Sequence, residues 1–199
     1  MTNNDVSSVD VKMTSRKRRV APYVAGAVGV VLAAFLVVLF VSSPSESTVS
    51  ESPLLGQPAP MVQSTTIEDE PFDLARRRGS WVVLNFFNST CVPCRQEHPY
   101  LLSFYDNQAT AETPAELYTI VNDDSDGAVE AYFEANDGAW PKVRDDDGTI
   151  AVAFGVAKVP ETWIIDPNGV VQLRILGALT ENFLDNKFVE LQQQFEAVQ

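Results

Sequence analysis

Two cysteines, Cys91 and Cys94, are the only ones in the 199-residue chain, and two residues separate them. A stapling framework of disulfides needs more cysteines, spread along the chain. A structural zinc site needs four ligands, and this pair with the single histidine, His98, falls short. What remains is a local redox pair that can form and break a small-loop disulfide. The sequence places it where an apolar strand runs into a helix. There, unpaired backbone N–H groups and the helix dipole favour a thiolate on Cys91, the attacking species in disulfide exchange. Pro93 lacks an N–H and pre-sets the first helical turn. Cys94, one turn inward, is placed to resolve a mixed disulfide.

The elements that must position the pair follow from hydropathy patterning. Trp81–Phe87 (WVVLNFF) is an apolar run rich in β-branched and aromatic residues, predicting a buried central strand. A helix is expected from Arg95 to about Gln108, kinked at Pro99. Glu116–Asn122 predicts a second strand and Gly127–Asn136 a helix. Trp163–Asp166 predicts a third strand, turning at Pro167-Asn168-Gly169 into an antiparallel Val170–Leu176. A last helix is expected to start at Thr180 as N-cap, with Leu184, Phe188, Leu191, Phe195 and Val198 as its buried stripe. This order predicts an α/β fold with helices on both faces of one sheet.

The charge is uneven. Residues 1–41 hold five basic and two acidic residues, leaving 9 basic and 25 acidic residues beyond them, a net of −16. A domain this acidic stays soluble and repels nucleic acid. Ala21–Val41 is an uncharged run of 21 residues directly after the cluster Arg16-Lys17-Arg18-Arg19. At about 1.5 Å per residue it matches a hydrocarbon core of about 30 Å, and the positive-inside rule leaves the N-terminus cytoplasmic. A cleaved signal peptide has a shorter core and an A-x-A site, which Val41-Ser42-Ser43 matches poorly. A lipoprotein needs a cysteine there. The expected organisation is a cytoplasmic basic tail (1–20), a transmembrane anchor (21–41), a flexible Ser-rich linker (42–53) and a folded domain (54–199).

The run VVLNFFNSTCVPCRQEHP resembles the active-site segment of membrane-anchored extracytoplasmic thioredoxins of the ResA, TlpA and CcmG (DsbE) type. Gly56-Gln-Pro-Ala-Pro60 is similar to that family's opening G-x-x-A-P. Phe154–Asp166 is similar to its G-V-x-x-x-P-E-T-F-x-I-D element. The resemblance covers residues 54–198 and implies a thioredoxin fold, a central mixed sheet flanked by helices. It implies that Pro160 is a cis-proline facing the cysteines, exposing the backbone of Val159 to a substrate. It implies that Glu161 is an acidic residue near the sulfurs. Glu97 is implied to be a buried carboxylate with a raised pKa, able to exchange a proton with Cys94 and to keep the thiol pKa values high. The chain departs from the family at Phe87 and Thr90, where tryptophans are common, which should alter redox potential and substrate fit. His98 has precedent in some CcmG-type sequences; by itself such a histidine is more often a surface or core residue than a catalyst.

The resemblance implies a reductant of the disulfide in the C-x-x-C-H haem-attachment motif of apocytochrome c, recharged by a membrane electron donor of the CcdA/DsbD type. It needs no cofactor beyond the Cys91–Cys94 disulfide and no metal. The implied location is a bacterial cell membrane, single-pass, with the C-terminal domain outside the cytoplasm. Two alternatives stay open. One is an oxidase introducing disulfides into secreted proteins, since direction depends on potential and partner. The other is a copper chaperone on the same scaffold, for which thiolates suit Cu(I) but a wider cysteine spacing and a distant histidine are expected. The P-x-x-x-[TS]-x-x-C pattern of a peroxidase is absent.

Overall fold

The computed structural model describes residues 21–41 and 47–197, in two compact units divided after Pro44. In the first, Ala21–Val41 forms helix α1, with no acidic residue in its first turn and no basic residue in its last. Side chains are described there for residues 24–36, a length of about 20 Å at the helical rise. Among the described residues no helix is long and apolar enough to cross a membrane. The basic cluster at 16–19, the tail before it, linker residues 42–46 and Val198 lie outside the described residues.

The second unit is organised around β4, Trp81–Phe87, in which every residue is buried. A strand buried on both faces needs apolar side chains pointing both ways, which WVVLNFF supplies at every position but Asn85. β4 lies between parallel β5, Ala115–Asn122, and antiparallel β7, Glu161–Ile165. With β1 (Thr48–Val49), β6 (Lys142–Asp145) and β8 (Val171–Leu176) they form a mixed six-stranded sheet in the order β1-β8-β7-β4-β5-β6. Strands β2 (Gln63–Thr65) and β3 (Pro71–Asp73) make a separate hairpin.

Side-chain alternation along β4 divides the core into two. Val83 and Phe87 pack with Cys94, Leu101 and Phe104 of α2 (Val92–Gln108), Phe133 of α3 (Asp126–Asn136) and Phe188 of α5 (Phe183–Glu196). Val82, Leu84 and Phe86 pack on the other face with Trp163, Phe72 and Phe154 of α4 (Thr149–Phe154). Helices on both faces of a mixed sheet give the expected thioredoxin architecture.

Four details differ from the sequence expectations. α2 starts at Val92 and continues through Pro99 to Gln108, so both residues between the cysteines are helical. α5 starts at Phe183 because Thr180–Phe183 closes a turn, with Asn182 in the left-handed region at φ 58°. Asparagine tolerates that conformation. β6 and α4 were not expected, since KVRD carries no apolar pattern; Asp145 holds them together by accepting from the amides of Ile150 and Ala151 at 2.8 Å. Thr48–Val49, assigned by composition to the linker, pairs with Leu176 and Ile175, and the Ser47 hydroxyl donates to Ala178 O at 2.6 Å. Main-chain pairing at a sheet edge asks little of the side chains, so a serine-rich segment supplies it.

Candidate active site

β4 and α2 build the cysteine site by one continuous run of chain. Cys91 is the N-cap of α2, with extended backbone (φ −72°, ψ 112°), and its Sγ accepts from the Cys94 amide at 3.2 Å. The sulfurs form a disulfide with an S–S distance of 2.17 Å and a Cα–Cα distance of 5.3 Å. Cys94 is fully buried, whereas Cys91 is half-buried at the surface. An incoming sulfur therefore reaches Cys91 first. The same amide that now contacts its Sγ is aimed at any thiolate formed there.

Glu97 lies one turn beyond Cys94 and is fully buried. The Asn85 Nδ2 donates to its Oε1 at 2.8 Å, and the Leu179 amide donates to its Oε2 at 2.9 Å. Among the described residues no cation pairs with it. Burial therefore pushes its pKa up to about 8, against the pull of those two hydrogen bonds. Asn85 also donates to Thr162 Oγ1 at 3.1 Å, joining β4, β7 and α2 beneath the cysteines. The signal for Asn85 was present in the sequence as the one polar residue in an apolar strand. Its partners Thr162 and Leu179 are distant in sequence and carry no such signal.

The Val159–Pro160 peptide is cis, and Pro160 O accepts from the Gly177 amide at 3.1 Å. Val159 packs against the core that contains Cys94. The pairing of Glu161 with Phe86 puts this bend at the end of the sheet where β4 leads to Cys91.

Glu161 is set apart from the other acidic candidate. Thr162 points toward α2, so alternation turns Glu161 to the opposite face of the sheet. There its buried carboxylate pairs with Arg174, at 2.8 Å to Nε, and the Arg174 guanidinium lies 5.2 Å from the Trp163 ring. The structure thus brings together Cys91, Cys94, Glu97 and the Pro160 bend, and places the Glu161 carboxylate behind the sheet. His98 is buried among Tyr132, Phe133 and Trp140. Its Nε2 lies 3.0 Å from the carbonyls of both Asn136 and Asp137, and so carries the proton. Burial lowers its pKa, and it ties α2 to the end of α3 as a neutral core histidine.

A family model described as the AhpC/TSA family matches residues 55–174. The thiol-disulfide oxidoreductase ResA of Bacillus thuringiensis subsp. konkukian is 30% identical over 138 residues, covering 69% of this chain and 79% of that one. The thiol:disulfide interchange protein DsbE of Yersinia pestis is 29% identical over 167 residues, covering 82% and 86%. StoA from Bacillus subtilis has a similar fold, with a TM-score of 0.55 at 24% identity over 67% of this chain and 98% of that one.

Proposed function

The chain belongs to the AhpC/TSA family and is a thiol-disulfide oxidoreductase of the ResA/DsbE type, and from that premise we propose that it is an extracytoplasmic reductant whose substrate is the haem-attachment disulfide of apocytochrome c. The observation that carries the direction is Glu97, buried beside the pair without a cation. A reduced pair becomes a strong oxidant's product when its thiolate is well stabilised. A carboxyl group that is itself reluctant to ionise, and repels a second charge once it does, withholds that stabilisation and keeps the pair reducing.

In the proposed cycle the Cys91 thiolate attacks one sulfur of the substrate disulfide. A Cys91–substrate S–S bond forms, the substrate S–S bond breaks, and the departing thiolate takes a proton from water. Cys94 then gives its proton to ionised Glu97, reached directly or through water, and attacks the Cys91 sulfur. The Cys91–Cys94 bond forms and the second substrate thiolate leaves. Two electrons have passed from the pair to the substrate. A membrane dithiol of the CcdA/DsbD type would return them. Pro160 and its neighbour Val159 would offer backbone to the substrate beside Cys91. Helix α1, with its 21 uncharged residues behind Arg16–Arg19, supports a single-pass anchor with the N-terminus cytoplasmic, keeping the domain close to membrane partners.

The test is a trap. Cys94→Ser cannot resolve the mixed disulfide, so a peptide carrying an oxidised C-x-x-C-H motif should remain covalently attached at Cys91. Cys91→Ser should capture none. Deleting the gene should also remove mature c-type cytochromes from the host; normal levels would sink the substrate assignment.

A further inference from the structure

We propose that Asn88 is a positioning residue that holds the approach to Cys91, so that the sulfur stays aligned on the Cys94 amide. Asn88 sits between the end of β4 and the cysteine pair. Its Nδ2 donates to Asn122 O at 3.0 Å and to Asp123 O at 2.7 Å, at the end of β5. Its Oδ1 accepts from the Thr90 amide at 2.9 Å and from the Thr90 hydroxyl at 2.6 Å. An asparagine amide offers two donors and two lone pairs, and all are taken. Its own carbonyl accepts from the Cys91 amide at 3.1 Å. One residue later, the Ser89 amide donates to the Asp124 carboxylate.

The clasp therefore joins the two loops that leave neighbouring parallel strands, with Asp123 in the left-handed region at φ 51°. Thr90 is exposed and Asn88 half-exposed, so this network adds little to the core. What it does fix is the three-residue path into Cys91. The N-cap role of Cys91 depends on that path, because its extended backbone is what aims Sγ at the Cys94 amide 3.2 Å away. A loosened path gives up a hydrogen bond that a thiolate needs more than a thiol does. The clasp thus acts on the reactivity of Cys91, through geometry, from a position that does not touch the sulfur.

The inference rests on Cys91 being the attacking sulfur. The experiment is the pH dependence of iodoacetamide alkylation of the reduced full-length chain, with the modified cysteine mapped by mass spectrometry and thermal unfolding followed in parallel. In Asn88→Ala, alkylation of Cys91 at pH 7 should fall about tenfold and the profile should move to higher pH, the effect of losing one charge-assisted hydrogen bond. Asn88→Asp keeps both acceptor bonds to Thr90 and loses the two donations, and should shift the profile in the same direction. Asn107→Ala removes an exposed side-chain bond to Asp185 far along α2 and serves as control. An unchanged profile in both Asn88 variants would overturn the proposal, whatever happens to the melting temperature. So would an equal shift in the control. Faster alkylation of Cys94 than Cys91 in the unaltered chain would instead overturn the assignment of the attacking sulfur.

Discussion

Glu97 keeps its proton to about pH 8 because burial penalises the charge more than Asn85 and the Leu179 amide can offset. Between its ordinary pKa of 4.5 and about 8 the folded state thus binds a proton that the unfolded chain releases. The stability this contributes is complete below pH 4.5 and is lost as pH rises through 8. Glu97→Gln removes the titration. Denaturant unfolding at pH 5 and pH 8.5 should show the native chain losing on the order of a few kcal/mol relative to the glutamine variant; parallel losses would refute the buried titration. The same variant should let the mixed disulfide persist, because Cys94 has lost its proton acceptor. In single-turnover reduction of a test disulfide, resolution should slow by about 10²-fold, the low end for a general base. Unaltered resolution would leave Glu97 a merely structural residue.

At the scale of elements, strand alternation decides which carboxylate can act. Glu161 is buried behind the sheet and depends on Arg174. Arg174→Ala leaves that carboxylate unpaired and should cost about 3–5 kcal/mol of stability by urea unfolding. The Cys91 alkylation profile should not move; a shift as large as that of Glu97→Gln would mean the two faces are electrostatically coupled. Phe188 of α5 packs edge-on to Trp81 and Phe104, with ring centroids 5.5 Å apart in each case. Truncating it, as in Phe188→Ala, should cost about 3–5 kcal/mol, again with the cysteine chemistry intact.

These elements also separate what patterning reveals from what it hides. β4, β5, β7 and β8 were legible because each is a run of apolar residues long enough to outweigh local propensity. β6 and α4 were not, because they are short and held by Asp145 hydrogen bonds that hydropathy does not register. The cysteine pair and its place at a helix start could be read directly from spacing. The burial of Glu97 could not, since Asn85 and Leu179 meet it only in the folded chain; there the family resemblance supplied what the residues alone did not. Glu161 shows the limit of such transfer. Its position in the motif says nothing of the face it occupies, which the pairing of Asn85 with Thr162 sets.

At the scale of the whole molecule, an acidic domain follows an uncharged helix and a basic cluster. Carbonate-washed membranes from cells expressing the full chain should retain it, and deleting residues 1–41 should release it; retention of the truncated chain would contradict the anchor. The domain's net charge of −16 beyond residue 41 also makes capture of a cationic partner faster at low salt, as electrostatic steering requires. The direction of electron flow is the claim on which the rest converges, and equilibrium titration of the Cys91–Cys94 couple in the full-length chain measures it. The account predicts a reducing potential, near thioredoxin's value of about −270 mV; a strongly oxidising one, near about −120 mV, would contradict it and make the protein a donor of disulfides.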